Sequence, residues 1–429
     1  MHNRLAPSAS PSCGGAEGVT NLMPASVAPF VRGRRTWAAY FLLGLFAYLE
    51  TSIGPAMPFL RDQLGLGYAV ASLHFSVFAL GAIATGLTGE RWVRRIGRGR
   101  ALWGGIAGMV AGASLIALGP NVAVTIAGAA LMGGIGALSL MANQSVLSDI
   151  HGNLRAIALT ESNVAATGTA IFAPLAIGGL AAAGWGWQAG LLITAPWALL
   201  LWWIFRSVRF PEAIPAGPGL DHGGRLPAVF WLLWLVLFLV STAEWCLAYW
   251  GAEFLASVVG LERATAATAM TLFFVAMTGG RLLGSRLARH VPAATLLLAA
   301  IAVALAGFLP FWLAARPAFS LAGLFVAGLG IANLYPLTVA TASGAVPHRI
   351  DHATARLTVA TGAALLLGPF VVGALSDVAG MRWGFGIVVP VLVLAFGGVL
   401  TAMRVMGVGY RLSAIGQTES RSVGQSVSR

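Results

Sequence analysis

Residues 228–254 read AVFWLLWLVLFLVSTAEWCLAYWGAEF, and this stretch determines the class of fold. No charged side chain occurs in it before Glu244. About 20 predominantly apolar residues are enough to cross the hydrocarbon core of a bilayer as an α-helix. Because lipid offers no hydrogen-bond partner to an exposed backbone group, a single spanning segment of this kind has to be helical. We therefore predict a membrane-spanning helix over residues 228–254.

The rest of the chain has the same character. Of its 429 residues, 58% are hydrophobic and 9% are charged, whereas soluble domains carry about 25% charged residues. A water-soluble enzyme of this composition would lack the charged side chains needed to cover its surface. Eleven further apolar runs are long enough to span a membrane, at 37–60, 68–89, 101–118, 122–146, 157–183, 187–207, 264–285, 293–315, 318–341, 356–378 and 383–404. The predicted fold is an all-α polytopic membrane protein with twelve transmembrane helices.

One longer polar stretch, from Arg209 to Arg225, separates the first six runs from the last six. We expect a disordered cytoplasmic N-terminal tail, two six-helix bundles joined by a cytoplasmic central loop, and a cytoplasmic C-terminal tail. The corresponding boundaries are 1–35 for the first tail, 36–207 and 227–404 for the bundles, 208–226 for the loop and 405–429 for the second tail.

The arginines predict the orientation of the chain. The 26 basic residues are all arginine, and the formal net charge is +12. If the N-terminus lies in the cytoplasm, the outer loops hold only Arg61, Arg263, Arg316 and Arg382, and the other 22 lie at inner loops, inner helix ends or tails. This distribution follows the positive-inside rule, so both termini are expected in the cytoplasm. The basic charge is thereby explained by topology, and no nucleic-acid partner is expected.

The two halves of the sequence repeat each other at an offset of 194 to 196 residues. The repeated pairs are Glu50 with Glu244, Gly65 with Gly260, Gly134 with Gly328, Gly136 with Gly330, Pro174 with Pro369, Gly178 with Gly373 and Gly184 with Gly380. Secondary transporters are commonly built from two such repeats around a site near the midplane of the membrane. The repeat therefore favours a transport function.

Residues 86–100, after the second run, read GLTGERWVRRIGRGR. They resemble the signature of the major facilitator superfamily (MFS), in which an acid follows a glycine by four residues and basic residues surround a second glycine. Glutamate stands here where aspartate is usual, and four extra residues precede the second glycine. The matching positions are Gly86, Glu90, Arg91, Gly97 and Arg98.

The resemblance extends over residues 36–404, because GLGIANLYP at 328–336 is similar to the tenth span of many bacterial members. It implies two six-helix bundles around a central cavity lined by the first, fourth, seventh and tenth spans. A second copy of the loop motif at 280–290 contains Arg281 but lacks the acid. For Glu90 and Arg91 we weigh two roles, a gating ion pair that is broken during the cycle and a solvated loop that only fixes orientation.

Two acids within the apolar runs carry the mechanistic hypothesis. A charge at the centre of a spanning helix costs roughly 2.5–3.5 kcal/mol on insertion scales, so such residues usually face a cavity or a partner. Glu50 and Glu244 lie at the same depth in matching helices, and the resemblance places both in the central cavity. We expect one or both to couple transport to protons. The alternatives are recognition of a cationic substrate and a structural hydrogen bond.

Other polar residues in the runs are weaker candidates for the cavity. Interhelical hydrogen bonding, worth about 0.6 kcal/mol, explains each of them equally well. They are Asn143 and Gln144 in the fourth run, Glu161 and Asn163 in the fifth, and Asn333 and Tyr335 in the tenth. Arg281 is expected to neutralise an acid, either Glu161 or Glu244. Trp245 and Tyr249 could line the floor of the cavity or simply pack.

Motifs of other protein classes are missing from the sequence. It has no phosphate-binding glycine loop with a lysine, no cluster with metal-ligand spacing and no nucleophile elbow. We expect neither enzyme activity nor a cofactor or metal, and we expect a monomer. A polytopic membrane enzyme is the rival class, and it should show clustered acids or histidines at one membrane face.

The direction of transport is open at this stage. Residues 168–179, GTAIFAPLAIGG, approach a motif of drug-efflux members, but Ala173 replaces a glycine and one residue is inserted. Proton-driven drug efflux and nutrient symport both remain compatible with the sequence. The composition, rich in alanine, glycine and arginine, indicates a GC-rich bacterial genome and hence the bacterial inner membrane.

Overall fold

The computed structural model describes residues 30–212, 226–314, 316–346 and 350–426, with side chains described except at 350–352, 355 and 408–426. In these ranges the chain forms α-helices, one short 3₁₀-helix at Gly152–Leu154 and no β-strand. The helices are α1 (Arg34–Leu64), α2 (Tyr68–Ile96), α3 (Arg98–Leu118), α4 (Val122–His151), α5 (Arg155–Ala170), α6 (Phe172–Ala182), α7 (Gln188–Leu192), α8 (Thr194–Phe205), α9 (Ala228–Ser257), α10 (Arg263–Leu287), α11 (Ala293–Leu313), α12 (Pro317–Ile331), α13 (Leu334–Gly344), α14 (Ile350–Ala379), α15 (Met381–Gly386) and α16 (Val388–Ser426). Most of the predicted N-terminal tail and central loop lies outside the described residues.

Every apolar run predicted to span a membrane coincides with helix. Within the described ranges, ten segments are long and apolar enough to cross a bilayer. α1 is not among them, and Val122–Ala182 counts as one segment although the 3₁₀ turn divides it. The all-helical polytopic fold is therefore confirmed, whereas the number of twelve spans stays a prediction. α16 continues to Ser426, well past the predicted end of the last span at residue 404.

Prolines divide four of the predicted spans into two helices each, a feature that the hydrophobic pattern did not reveal. Each of the earlier helices, α5, α7, α12 and α15, ends four or five residues before a proline, at Pro174, Pro196, Pro336 and Pro390 respectively. A proline has no backbone N–H to bond the carbonyl four residues earlier, and its ring clashes with that carbonyl. The break therefore falls one turn before the proline. Pro196 and Pro390 are 194 residues apart, which extends the repeat seen in the sequence.

The crossing of α3 with α4 has a counterpart in the crossing of α11 with α12. A Cβ atom added to Gly112 would lie 2.4 Å from the carbonyl oxygen of Gly128, and one added to Gly323 would lie 2.7 Å from that of Gly307. Only glycine allows helices to approach this closely, and small residues commonly form helix contacts in membranes. The two crossings are 195 residues apart in the sequence, which matches the offset of the repeat.

Glycines also end the first helix of each half. Gly65, after α1, has φ +62°, and Gly260, after α9, has φ +82°. A non-glycine residue is strained at such angles. The two glycines form one of the pairs on which the repeat was predicted.

The described residues from Arg32 onward form one compact unit. Within it, α1, α2 and α6 from the first part of the chain contact α9, α10 and α14 from the second part. These contacts form the seam along which the functional residues lie.

Candidate functional site

A cavity of about 170 Å³ lies at the seam between α1 and α5 on one side and α9 and α10 on the other. Its lining includes both acids that the sequence singled out. The lining residues are Ala47, Glu50, Thr51, Asn163, Ala166, Thr167, Ala170, Glu244, Trp245, Ala248, Tyr249, Phe274, Met277 and Arg281. We call this space the central cavity.

The two acids have different surroundings. Glu244 of α9 faces Arg281 of α10, with 3.9 Å between the carboxylate oxygen and the guanidinium. Arg281 also donates a hydrogen bond of 2.6 Å to the hydroxyl of Thr167 on α5. Glu50 of α1 has neither a hydrogen bond nor an ion pair with any residue that the structure describes, although it lines the same cavity. Of the two acids that were expected to pair with Arg281, the structure places Glu244 beside it. Glu161 does not pair with Arg281 in this structure.

Aromatic rings form one wall of the central cavity. The rings of Trp245 and Tyr249 stack with centroids 5.3 Å apart, and Phe75 of α2 stacks on the other face of Tyr249 at 4.2 Å. The hydroxyl of Tyr249 is buried and has no hydrogen-bond partner among the described residues. A buried hydroxyl without a partner is unfavourable.

Several lining residues were not predicted from the sequence, although helical spacing identifies them. Ala47 precedes Glu50 by three residues on α1, and Thr167 follows Asn163 by four residues on α5. Residues three, four or seven apart lie on one face of a helix. By the same rule, Phe274 and Met277 share the face of α10 that carries Arg281. Each acid or arginine was thus sufficient to identify its neighbours along the helix.

Of the eight residues predicted for the cavity, Glu50, Glu244 and Asn163 line it, and the other five do not. Asn143 is buried and donates a hydrogen bond of 2.7 Å to the carbonyl of Ala39 on α1. The side chain of Asn333 donates a hydrogen bond of 2.7 Å to the carbonyl of Gly280 on α10. Both amides therefore join helices, the alternative that the sequence had left open. Gln144 is exposed on α4, and Tyr335 is 43% exposed on α13.

Glu161 lies outside the central cavity and pairs with Arg32, two residues before the start of α1. Its carboxylate accepts two hydrogen bonds from Arg32, at 2.5 and 2.9 Å, and one of 3.0 Å from the hydroxyl of Tyr40. These contacts join the start of α1 to α5. They account for Glu161 without a role in the cavity.

The motif at 86–100 is helical rather than a loop. α2 continues to Ile96, Gly97 makes the turn at φ +85°, and α3 begins at Arg98. Glu90 pairs with Arg94 one turn later, at 3.2 Å, and both side chains are more than half exposed. Arg98, in contrast, is buried and bonds Asp149 of α4 at 2.5 Å. Gly86 and Arg91 are exposed.

Ion pairs join the two parts of the chain where α1 ends and α10 begins, and we call this the closed end. Arg61 of α1 forms an ion pair with Glu253 of α9, whose side chain is 4% exposed. The same guanidinium lies 3.7 Å from the ring centroid of Tyr68 on α2. Nearby, Arg263 of α10 bonds Asp62 of α1 at 2.6 Å, and both side chains are exposed.

Backbone contacts complete the closed end. The carboxylate of Asp377 on α14 accepts hydrogen bonds from the backbone N–H groups of Tyr68 and Ala69, at 2.7 and 2.8 Å. These groups have no partner within α2 because they lie in its first turn. A Cβ atom added to Gly54 of α1 would lie 2.3 Å from the carbonyl oxygen of Ala248 on α9. The helices thus meet backbone to backbone beside the central cavity and seal it on this side.

Toward the other end the cavity is accessible. Arg281 is 40% exposed at its side chain, and Asn163 is also exposed. No hydrogen bond or ion pair between described residues joins α4 to α12 or α13 at this end. The central cavity is therefore closed on one side and open on the other, and we call the second side the open end.

Comparisons with known proteins agree with this architecture. The model of the Major Facilitator Superfamily matches residues 36–324 and 233–409. An uncharacterized MFS-type transporter of Yersinia pestis is 24% identical over 367 residues, covering 83% of this chain and 92% of its own. An uncharacterized transporter of Sinorhizobium fredii is 30% identical over 199 residues, covering 46% of this chain and 50% of its own.

Solved structures show the same fold. A bacterial homolog of the human lysosomal transporter Spinster, in an inward-facing and occupied conformation, has a TM-score of 0.76 at 17% identity, covering 88% of this chain and 98% of its own. The nucleoside transporter NupG has a TM-score of 0.69 at 13% identity, with coverages of 86% and 99%. The peptide transporter POT has a TM-score of 0.65 at 14% identity, with coverages of 86% and 95%.

Proposed function

The chain belongs to the major facilitator superfamily of membrane transporters, and from this premise we propose that it moves a small organic solute across the membrane by alternating access, coupled to protons. Members of this family are transporters and not enzymes. One observation carries the proposal: Glu50 and Glu244, one from each half of the repeat, line a single cavity that is closed on one side and open on the other.

The predicted orientation gives the two ends their physiological meaning. With both termini in the cytoplasm, the closed end faces the periplasm and the open end faces the cytoplasm, so the structure corresponds to an inward-facing state. The likeness to an inward-facing Spinster homolog supports this assignment. In the opposite state, the contacts between Arg61 and Glu253 and between Arg263 and Asp62 would break. The composition and the bacterial relatives support a place in the inner membrane.

The moving bodies in this proposal are the two six-helix bundles, residues 36–207 and 227–404, joined by residues 208–226. They rock about the central cavity as a monomer. Glu90 and Arg91 would gate the open end, since they lie exposed near it in the present state and would come close to the other bundle when it closes.

Proton coupling follows from the position of the acids. Carboxyl groups inside membrane-spanning segments commonly carry protons in pumps and transporters. Alternating access exposes such a group first to one side of the membrane and then to the other. A proton bound on one side can therefore be released on the other, together with or against the substrate.

Proteoliposomes loaded with a fluorescent pH indicator test the proposal. Nucleosides, dipeptides, sugars, carboxylic acids and amines are added in turn, and one of these classes should drive proton movement across the vesicle membrane. Glu50→Gln, Glu244→Gln or both should abolish it. The exposed Glu262→Gln, outside the cavity, is the control and should retain it. If both cavity variants keep the full pH-dependent movement, the proposed coupling is wrong.

A further inference from the structure

We propose that the central cavity binds a small organic cation, whose positively charged group takes the place of a proton beside Glu50. This inference rests on the proposed function and names its substrate class. It begins from the charges in the cavity. Glu50 and Glu244 contribute two carboxylates, and among the residues that the structure describes Arg281 is the one cationic side chain in the lining. With all three ionised, the cavity lacks one positive charge.

The missing charge belongs beside Glu50. Arg281 lies 3.9 Å from Glu244 and is held in place by Thr167, so its charge is already compensated by that acid. Glu50 has no such partner in the described part of the chain. Unpaired carboxylates are costly in the interior of a membrane protein. A proton or a cationic group of a substrate satisfies Glu50, and both cannot do so at once.

The wall of the cavity favours an organic cation over an inorganic one. The ring of Trp245 lines the cavity, and the face of an aromatic ring attracts cations. Phe274 and Met277 add an apolar surface from α10. A metal ion would gain nothing from these side chains, whereas an amine with an apolar body contacts all of them.

The hydroxyl of Tyr249 is a second and independent sign of a bound molecule. Tyr249 is 1% exposed, lines the cavity and leaves its hydroxyl without a partner among described residues. An ammonium group has N–H donors, so one placed between this hydroxyl and Glu50 can bond both. The cavity volume of about 170 Å³ is below the 300–1,000 Å³ typical of sites for drug-sized ligands. The cation is therefore small.

Because a proton and the cation compete for Glu50, the protein exchanges one for the other across the membrane. Among the described residues, the titratable or charged groups that line the cavity with Glu50 are Glu244 and Tyr249 from α9 and Arg281 from α10, and the polar lining residues of α5 are Asn163 and Thr167. Glu244 stays paired with Arg281, so Glu50 is the group that changes its occupant. One positive charge replaces another, and the cavity keeps the same net charge in both states.

Calorimetric titration of the purified full-length protein in detergent tests this inference with three probes that share one ring: benzylamine, benzyl alcohol and benzoate. Benzylamine, which is charged at neutral pH, should bind at least tenfold more tightly than the other two. Its affinity should fall up to tenfold for each unit of pH on the acid side of the Glu50 titration. Comparison of buffers with different ionisation enthalpies should show a proton released on binding.

Substitutions in the cavity test which side chains bind benzylamine. Glu50→Gln should lose benzylamine binding at least tenfold, and Glu50→Asp should keep most of it. Glu244→Gln should weaken binding because Arg281 is then uncompensated, and adding Arg281→Gln should restore it. Tyr249→Phe should weaken benzylamine but not benzyltrimethylammonium, which has no N–H donor. Monodisperse elution and an unchanged unfolding temperature establish that each variant is folded.

The outcomes separate this inference from the proposed function. If benzyl alcohol or benzoate binds as tightly as benzylamine, or Glu50→Gln binds benzylamine normally, the cation site is refuted. Proton movement driven by a neutral or anionic substrate would also refute it while the proposed transport function stands. Benzylamine binding without proton release refutes the exchange at Glu50.

Discussion

At the scale of single residues, the arginines of the 86–100 motif have two different environments. Arg98 is 7% exposed and bonds both the carboxylate of Asp149 and the backbone carbonyl of Glu212, at 2.5 and 3.2 Å. Arg91 is exposed seven residues earlier. The motif contains the same type of residue at both positions, so its spacing could not show which arginine is buried and which is exposed. The distinction depends on Asp149, which lies 51 residues away along the chain.

This difference predicts unequal effects on stability. Arg98→Ala removes the charged hydrogen bond to Asp149 and should destabilise the protein by about 1.5–3 kcal/mol, the usual net contribution of a hydrogen bond to a charged group. Arg91→Ala, the matched control, should change stability by less than about 0.5 kcal/mol, as is usual for surface substitutions. Thermal unfolding of both variants in the same detergent measures the difference. Equal unfolding temperatures would contradict a structural role for Arg98.

At the scale of helices, the sequence predicted where elements occur better than which faces they present. Apolar runs located the helices because a span needs a fixed length of apolar residues. The prolines did not reveal which spans are broken, because Pro55, Pro310 and Pro369 lie inside unbroken helices. The rotation of each helix was not readable. Lipid and protein neighbours are both apolar, so a hydrophobic stripe does not mark the buried face. For this reason Asn143 and Asn333 were as plausible in the cavity as Asn163.

The close approach of α6 to α10 predicts a glycine that cannot be replaced. A Cβ atom at Gly178 would lie 2.1 Å from the hydroxyl oxygen of Thr268 and 2.4 Å from the carbonyl oxygen of Ala264. Gly178→Val should therefore separate the helices at the closed end. Gly179→Val is the control, because a Cβ there meets no atom within 4 Å.

Spin labels at residues 63 and 265, which are exposed at the ends of α1 and α10, report the separation. The distance distribution should shift to longer values for Gly178→Val and stay unchanged for Gly179→Val. An unchanged distribution in both variants would show that the contact does not hold the closed end together.

The ion pairs of the closed end predict a graded effect on the same distance. Removing one partner of a fully buried pair costs about 3–5 kcal/mol, and since Arg61 is 20% exposed we expect about 1–3 kcal/mol for Glu253→Gln. A loss of 1.4 kcal/mol corresponds to a tenfold fall in the ratio of closed to open molecules.

Asp62→Asn is the control. It breaks the pair of Arg263 and Asp62, whose side chains are 48% and 60% exposed, and such exposed pairs contribute about 0–1 kcal/mol. The fraction of molecules with a long distance between the labels at 63 and 265 should be much larger in Glu253→Gln than in Asp62→Asn. The reverse order would show that the pair of Arg61 and Glu253 is not the main contact that keeps this end closed.

At the scale of the whole molecule, the internal repeat was the most informative property of the sequence. Two acids at equal depth in matching helices were expected in one cavity, and Glu50 and Glu244 both line it. The sequence limited the partner of Arg281 to Glu161 or Glu244 but could not choose between them, because the contact with Glu244 depends on the packing of α9 against α10. The repeat therefore predicts which helices and which acids correspond in the two halves. Residues that break the repeat, such as Arg281, identify where the two acids differ in their contacts.

The orientation of the whole chain gives the last prediction. Trp185, 77% exposed, follows α6 on the side that the arginines assign to the periplasm, and Asn153, also exposed, lies in the turn between α4 and α5 on the side assigned to the cytoplasm. In a background with Cys13 replaced by serine, cysteine is introduced at either position; the native Cys246 is buried. An impermeant maleimide added to intact cells should label Trp185→Cys, and should label Asn153→Cys only after the cells are broken, because the reagent cannot cross the membrane. The opposite pattern would place the open end of the cavity in the periplasm. The structure would then be outward-facing, and the positive-inside rule would not hold for this chain.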